Sequence, residues 1–318
     1  MSWLLLGIPI GIVLLYFGSE WTVGGAKKLA IRLGVAPFVI GLTVVAFGSS
    51  SPELVTTLVS ENNPQIIVGN IVGSNILNVG LSLALAALIT PIICSYKAIR
   101  FELIAMVVAV VAVTVLSLSG VLGWMEGIIL LVALCVFVCL VYFLKKISGE
   151  TDDPEVDPTE RASLPKCIVL VAVGIVALYL GARAFIGGSV ELAEMMGVSE
   201  LLIGLIIVAV GTGLPETCIS LVGAYRHENE LVVSNIVGSI VFNSFFALGV
   251  GILFTSVEIT HYMMVFHMPV MIIFAVLLAL IIRSGSRVTR GEGAVLLVMY
   301  AAYIGAMIMM PELTQGFV

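Results

Sequence analysis

Charged side chains are scarce in this sequence of 318 residues. Asp, Glu, Lys and Arg make up only 11% of the chain, whereas 60% of the residues are hydrophobic and the mean hydropathy is +1.21. Soluble globular proteins rarely have such a composition, and apolar stretches of about 20 residues recur along the whole chain. The composition therefore excludes a soluble domain and predicts an all-α integral membrane protein in contact with the lipid bilayer.

Aspartate and histidine are scarcer still. Asp152, Asp153 and Asp157 are the only aspartates, and the three histidines form no HExxH motif. No aspartyl dyad can therefore form within the apolar spans, and no zinc-protease motif is present. These absences argue against an intramembrane protease, and we expect that the protein is not an enzyme. We also expect no cofactor and no nucleic-acid partner, and the sequence indicates no protein partner.

Ten apolar spans result when the chain is divided at its charged and turn-rich segments. A polar, acidic connector over 148–164 separates a first set of five spans in residues 1–147 from a second set in residues 165–318. The predicted spans are 3–22, 36–60, 65–89, 99–119, 124–146, 165–187, 199–225, 230–254, 262–282 and 293–311.

Basic residues are distributed unevenly between the two sides of the predicted bundle. If the spans alternate in direction, 13 of the 14 Lys and Arg residues fall on one side, and Arg183 is the exception. Cytoplasmic loops carry such an excess of positive charge. The pattern predicts a cytoplasmic connector and extracellular termini. The opening residues lack the basic n-region of a signal peptide, so we interpret the first apolar run as a retained helix.

The two halves of the chain repeat each other. "LYFGSEWTVGGAKKLAIRLGV" matches "LYLGARAFIGGSVELAEMMGV" at a constant offset of 163 residues, and "VGNIVGSNILN" matches "VSNIVGSIVFN" after a two-residue insertion. Chance similarity between apolar helices does not keep Gly, Ser, Asn, Pro and Glu in register over such lengths. Because each copy has an odd number of spans, the second copy must enter the membrane from the opposite side.

The stretch "VVAFGSSSPELVTT" places a proline and a carboxylate inside the second predicted span. We predict that one helix ends at "AFGS" and that another starts with Ser51 as N-cap and Pro52 in its first turn. In an inverted repeat, Glu53 and its equivalent Glu216 would meet near the membrane centre, where unpaired carboxylates are costly. Carboxylates, hydroxyls and freed backbone carbonyls form the oxygen-rich site that Ca²⁺ and Na⁺ prefer, whereas zinc or copper prefers His or Cys.

The motif "GNIVGSN" and its equivalent supply the opposing wall of the predicted site. Glycine allows close helix approach, and serine and asparagine add polar groups on one helix face. An unpaired amide facing lipid would be expensive, which favours a polar centre for the asparagines. The residues concerned are Gly73, Ser74 and Asn78 in the first copy, and Gly238, Ser239 and Asn243 in the second.

At these motifs the chain resembles the cation/Ca²⁺ exchanger superfamily, and within it the prokaryotic sodium/calcium exchangers. Their two inverted repeats carry G-[ST]-S-x-P-E and G-N-x-x-G-S-N motifs, and the resemblance covers both halves outside the connector. It implies ten transmembrane helices as two inverted five-helix repeats, with broken helices lining a central ion site. It also implies exchange of Na⁺ for Ca²⁺ by alternating access in a prokaryotic plasma membrane.

The resemblance also implies a set of ion ligands. Glu53 and Glu216 would be the central Ca²⁺ ligands, helped by the backbone carbonyls of Ser49 and Thr212. Positions that match the family's sodium sites are Ala46, Ser50, Ser74, Asn78, Ala209, Ser239 and Asn243. Spans one and six, which carry Gly24, Gly25, Gly187 and Gly188, would slide between the two access states.

Two positions depart from the family pattern. Gly213 stands where the family usually has serine, which removes a hydroxyl from one candidate sodium site and leaves the number of sodium ions open. Asn243 stands where several relatives have aspartate, including the potassium-dependent branch, and this argues against potassium co-transport.

Two other transport functions remain as alternatives. Protons could replace sodium by neutralising Glu53 and Glu216 directly, although Ca²⁺/H⁺ exchangers of the superfamily usually have asparagine where Ser49 and Thr212 stand. A cation channel could use the same oxygen-lined centre, but two full charges should hold Ca²⁺ too tightly for fast conduction. Sodium-coupled antiport is therefore the favoured prediction.

Overall fold

The fold is a bundle of apolar helices, seen in a computed structural model that describes residues 6–35, 37–59, 64–148, 163–196 and 209–314. Within these ranges, eight helices are long and apolar enough to cross a membrane. The helices are α1 (Gly7–Leu33), α2 (Pro37–Ser49), α3 (Ser51–Val59), α4 (Gln65–Ile89), α5 (Tyr96–Ser117), α6 (Trp124–Ser148), α7 (Leu164–Met195), α8 (Ala209–Thr212), α9 (Leu214–Tyr225), α10 (Asn229–Phe254), α11 (Met263–Gly285) and α12 (Arg290–Met309). The chain is therefore an integral membrane protein.

Most predicted spans lie within a few residues of an observed helix, but the predicted ends of the first span at residue 22 and of the sixth span at residue 187 are both too early. α1 continues to Leu33 and includes Lys27, Lys28 and Arg32, which the charge pattern assigns to a loop. Lys and Arg are good helix formers, so the change to polar sequence does not end the helix. Gly34 ends it, because its positive φ of 66° gives a left-handed cap.

Two of the predicted spans are interrupted in the structure. The second predicted span contains the separate helices α2 and α3, and the end of the seventh contains α8 and α9. The structure does not describe residues 197–208, where the seventh span is predicted to begin, nor residues 149–162 of the acidic connector. A Pro311–Thr314 turn of 3-10 helix follows α12.

α1 and α7 pack against each other in antiparallel orientation. A Cβ added to Gly11 would lie 2.8 Å from the Gly181 carbonyl oxygen, and one added to Gly18 would lie 2.9 Å from that of Gly174. Only glycine allows the two backbones to come this close. Gly174 and Gly181 are the repeat equivalents of Gly11 and Gly18, so the same contact occurs twice along the pair.

Four two-residue strands join loops from the two halves of the chain. β1 (Ile92–Ile93) pairs antiparallel with β4 (Arg287–Val288), and β2 (Val121–Leu122) pairs antiparallel with β3 (Val257–Glu258). β1 and β2 flank α5, whose 22 residues correspond to about 33 Å of helix. The two strand pairs therefore lie at opposite ends of α5.

Buried hydrophobic side chains form two clusters. The larger one is built mainly from α4, α5, α10, α11 and α12. The smaller one contains buried side chains of α1 and α7, together with a few from α2, α9 and α10. The α1 and α7 pair is thus packed separately from the main core.

Two ion pairs connect α1 with the turn after α9. Lys27 Nζ lies 2.6 Å from Glu228 Oε1, and Arg226 donates to Glu20. The hydrogen bond from Arg226 to the Glu20 carboxylate raises the pKa of the guanidinium.

Candidate functional site: a buried pair of carboxylates

Two equivalent helix breaks position the site. Ser50 separates α2 from α3 with φ −83° and ψ 8°, and Gly213 separates α8 from α9 with φ −85° and ψ 8°. Proline follows each break by two residues, and because it has no N–H, the carbonyls of Gly48 and Gly211 lose their helical donors. The sequence correctly predicts a helix break here, but the predicted N-cap residue is wrong.

Ser51 is not the N-cap. It already belongs to α3, and its hydroxyl donates to the Phe47 carbonyl oxygen at 3.0 Å. The residue outside both helices is Ser50, whose N–H still donates to the Ala46 carbonyl at 3.0 Å. Backbone hydrogen bonding therefore continues into the break, and the Ser50 side chain faces the site.

Glu53 and Glu216 lie in the first turns of α3 and α9 and are 1% and 0% exposed. Ser50 Oγ donates to Glu216 Oε1 at 3.1 Å, which connects the first break to the second carboxylate. Ser74 Oγ on α4 donates to Glu53 Oε1 at 3.2 Å.

Several buried polar atoms around the carboxylates have no hydrogen-bond partner among the described residues. They include Oε2 of both glutamates, both side-chain polar atoms of Asn78 and Asn243, and Ser239 Oγ. Buried polar groups without partners cost free energy, so each one calls for an explanation. The glutamates and the asparagines share this property in both repeats, whereas Ser74, the equivalent of Ser239, donates to Glu53. The arrangement is therefore suited to binding a cation between the unpartnered oxygens.

Both asparagines also begin a π-helical turn. The π segments are Asn78–Leu83 in α4 and Asn243–Ala247 in α10. Such turns are often found at functional sites, because the wider turn displaces backbone and side chains from their regular positions. A third π segment, Gly41–Val45, precedes the first helix break.

The close packing predicted for Gly238 is present. A Cβ added there would lie 2.6 Å from the Ala46 Cβ and 2.7 Å from the Leu42 carbonyl oxygen. α10 therefore contacts α2 directly, and this contact brings Ser239 and Asn243 towards the first helix break.

The structure buries most of the predicted site residues in this region. Thr212 is half-buried at the end of α8, and Ala209 begins that helix. The fully buried ones are Ala46, Ser49, Ser50, Glu53, Ser74, Asn78, Glu216, Ser239 and Asn243.

Sequence reasoning missed two further residues of the site. Asn235 Oδ1 lies 3.3 Å from the hydroxyl of Ser49, and Asn70 Nδ2 donates to the Glu53 carbonyl oxygen at 3.4 Å. They occupy the same position in the two copies of the second motif, and that repetition is the signal that could have identified them.

Apolar helices with interrupted segments and paired buried carboxylates are what a membrane transporter for cations requires. Comparison with known proteins identifies the class as the cation/Ca²⁺ antiporters, and the relatives are transporters. The chain belongs to the family described as sodium/calcium exchanger protein, which it matches over residues 3–143 and 166–309.

Individual relatives cover nearly the whole chain. An uncharacterised membrane protein of Methanocaldococcus jannaschii is 33% identical over 96% of this chain and 99% of its own length. The sodium/calcium exchanger MaX1 of Methanosarcina acetivorans is 30% identical over 93% of this chain and 95% of its own. A solved structure of the sodium-calcium exchanger NCX_Mj, soaked with Na⁺ and Sr²⁺, has a TM-score of 0.81 and 30% identity, covering 97% of this chain and 99% of that one.

Proposed function

We propose that this chain is a secondary-active antiporter that exchanges Na⁺ for Ca²⁺ at one central site. The observation that carries this proposal is the pair of fully buried carboxylates, Glu53 and Glu216, each with one oxygen that has no partner among the described residues. Two carboxylates neutralise one Ca²⁺, and the same oxygens could instead bind Na⁺. Because the two ions share ligands, they exclude each other, and this couples their opposite fluxes.

The proposed Ca²⁺ ligands are the carboxylates of Glu53 and Glu216, with the backbone carbonyls of Ser49 and Thr212. Ca²⁺ accepts such mixed carboxylate and carbonyl oxygens. Na⁺ ions would use overlapping positions around the same carboxylates. The residues proposed for them are Ala46, Ser50, Ser74, Asn78, Ala209, Ser239 and Asn243.

We further propose ten transmembrane helices in two inverted repeats, 1–147 and 165–318. The antiparallel packing of α1 against α7 supports this, because these are equivalent helices of the two copies. The strand pairs also support it, since β1 and its equivalent β3 lie at opposite ends of α5. Under this proposal the broken segments α2–α3 and α8–α9 complete the ten spans.

Alternating access would be a movement of α1 and α7 against the remaining helices. Their separate hydrophobic cluster supports this division. Inverted-repeat transporters work by moving one group of helices around a fixed midplane site. Following the distribution of basic residues, we place the acidic connector in the cytoplasm and both termini outside, in a prokaryotic plasma membrane.

The coupling ion is tested by Ca²⁺ uptake into proteoliposomes. Vesicles loaded with Na⁺ are compared with vesicles that contain a choline salt and carry a pH gradient. We expect uptake only with the outward Na⁺ gradient, since Ser49 supplies a hydroxyl at its helix break. Uptake driven by the pH gradient without sodium would show a Ca²⁺/H⁺ antiporter, and flux that needs no counter-ion would show a channel.

A further inference from the structure

Five exposed basic side chains surround the β1–β4 strand pair at one end of the bundle. The Cys94 N–H, next to β1, donates to the Ser286 carbonyl oxygen, next to β4, at 2.9 Å. The Arg290 guanidinium donates to the Ile89 carbonyl oxygen at 3.0 Å and so holds the start of α12 against the end of α4. These contacts bring together the start of α5, the end of α11 and the start of α12. The basic patch, as we call the five residues, consists of Lys97, Arg100, Arg283, Arg287 and Arg290.

No ion pair within the described part of the chain compensates the charge of the basic patch. The ion pairs described above join α1 to the turn after α9 and involve none of the five residues. Glu102, the acidic residue of α5, is only 2% exposed. Glu292, in the first turn of α12, accepts hydrogen bonds from the N–H and the hydroxyl of Thr289. The positive charges of the patch therefore face outwards together.

The basic patch lies at the ends of apolar strips that face outwards from the bundle. On α5, Arg100 is followed by Ile104 and Val108 at intervals of four residues, and these two side chains are 56% and 54% exposed. Residues three, four or eight apart lie on one face of a helix. The corresponding pairs on the other two helices are Leu280 with Arg283 and Val298 with Arg290. In a bilayer such strips contact the acyl chains, and Lys or Arg at a helix end reaches the headgroup layer.

Arginine makes up most of the basic patch, and this favours phosphate as its ligand. The guanidinium group donates two parallel hydrogen bonds to a phosphate, whereas the ammonium group of lysine acts as a point charge. Beside Arg283, a groove on α11 is lined by Leu280, Ile281 and Ser284, so an apolar surface and a cation meet there. A phospholipid with a negatively charged headgroup has the complementary combination of an acyl chain and a phosphate.

An excess of positive charge at one end of the bundle could serve only to orient the helices in the membrane. Lysine would serve that purpose as well as arginine, and the charges could stand anywhere in the loops. In the basic patch, arginines instead lie directly above the exposed apolar strips of three helices that meet at one strand pair. Orientation does not require this juxtaposition, but a bound lipid does.

We propose that the basic patch binds the phosphate headgroup of an anionic phospholipid, whose acyl chains lie along the exposed strips of α5, α11 and α12. These helices contribute to the larger hydrophobic cluster, which is packed separately from the α1 and α7 pair. Bound lipid would therefore hold in the bilayer the group of helices against which, in the proposed mechanism, α1 and α7 move. The binding itself does not depend on which ions the protein exchanges.

Binding of a fluorescent phosphatidylglycerol to the purified protein in a nonionic detergent tests the proposal. Unlabelled phosphatidylglycerol should displace the probe, and phosphatidylcholine with the same acyl chains should not, because its headgroup has no net charge. Millimolar inorganic phosphate should not displace the probe either, because it has no acyl chain to occupy the strips. Equal displacement by the two lipids, or displacement by phosphate, would overturn the assignment to an anionic lipid.

Two double variants test the guanidinium groups. Arg283 and Arg287 are exposed and form no side-chain hydrogen bond within the described part of the chain, so their replacement should leave the fold intact. Arg283→Gln with Arg287→Gln should weaken phosphatidylglycerol binding about 25-fold, because each basic residue at an anionic surface contributes about fivefold. Arg283→Lys with Arg287→Lys keeps the charge and should weaken binding several-fold, because the bidentate hydrogen bonds are lost.

Lys28→Gln with Arg32→Gln is the matched control. Both residues are exposed on α1, outside the patch, so the variant removes the same charge and should leave the affinity unchanged. If the control lost as much affinity as Arg283→Gln with Arg287→Gln, binding would reflect the total charge of the protein. If Arg283→Lys with Arg287→Lys bound the lipid as tightly as the unmodified protein, the patch would supply only positive charge. Either result would overturn the proposal.

Discussion

Replacing either central glutamate by glutamine should abolish high-affinity Ca²⁺ binding. Glu53→Gln and Glu216→Gln keep the shape of a fully buried side chain but reduce the charge of the site from two carboxylates to one. At about 2.4 Å and an effective dielectric constant of about 20, Ca²⁺ attracts one carboxylate charge by roughly 14 kcal/mol. Desolvation offsets several kcal/mol for each ion. Even a residual loss of about 4 kcal/mol weakens binding roughly 1000-fold.

Equilibrium ⁴⁵Ca²⁺ binding to the purified protein in detergent measures this loss. Glu102→Gln is the matched control, because Glu102 is a carboxylate only 2% exposed on α5 and lies outside both motifs. The control should bind Ca²⁺ as the unmodified protein does. If either site variant bound Ca²⁺ within a few-fold of the unmodified protein while remaining folded, the carboxylate pair would not be the Ca²⁺ site.

Three further substitutions test individual contacts. Ser50→Ala should raise the half-saturating Na⁺ concentration about tenfold, because it removes a hydrogen bond to a carboxylate. Ser51→Ala should leave flux unchanged, because the Ser51 hydroxyl donates to the Phe47 carbonyl oxygen of α2 and not to a carboxylate; equal effects would contradict the assignment. Gly238→Ala should lower the free energy of unfolding by about 1–3 kcal/mol through overpacking. Gly24→Ala is the control and should leave it unchanged, because nothing lies within 4 Å of the added Cβ. Thr289→Ala should lower the free energy of unfolding by about 1 kcal/mol in a denaturant titration, because Thr289 forms a capping box at the start of α12. An unchanged midpoint would show that the cap contributes nothing.

The repeat and the paired motifs could be predicted from the sequence because they depend on residue identities in register. The same identities predict that Glu53 and Glu216 face each other at the centre of the bundle, and the structure buries both. The exact position of the helix break was harder to predict from the sequence. Proline indicates where a helix loses a hydrogen bond, but the choice between Ser50 and Ser51 depends on where the Ser51 hydroxyl finds its partner.

Contacts between segments that are distant in the chain could not be predicted from the sequence. Nothing in the spacing of the chain places Leu77 against Gly213 or Ser82 against Thr217, because those contacts arise only when α4 packs beside α8 and α9. The missing hydroxyl at Gly213 was visible in the sequence, but its contact with the Leu77 side chain was not. The end of α1 was missed for a local reason, since a charged segment can continue a helix beyond the apolar stretch.

In the proposed mechanism, Ca²⁺ and Na⁺ compete for the space between Glu53 and Glu216. Crystals of this protein soaked with Sr²⁺ in sodium-free medium, and then with increasing Na⁺, test this by anomalous diffraction, with Sr²⁺ standing in for Ca²⁺. We expect one anomalous peak between the two carboxylates, and we expect it to disappear as the Na⁺ concentration rises. A peak elsewhere, or one that persists between the carboxylates at saturating Na⁺, would contradict it.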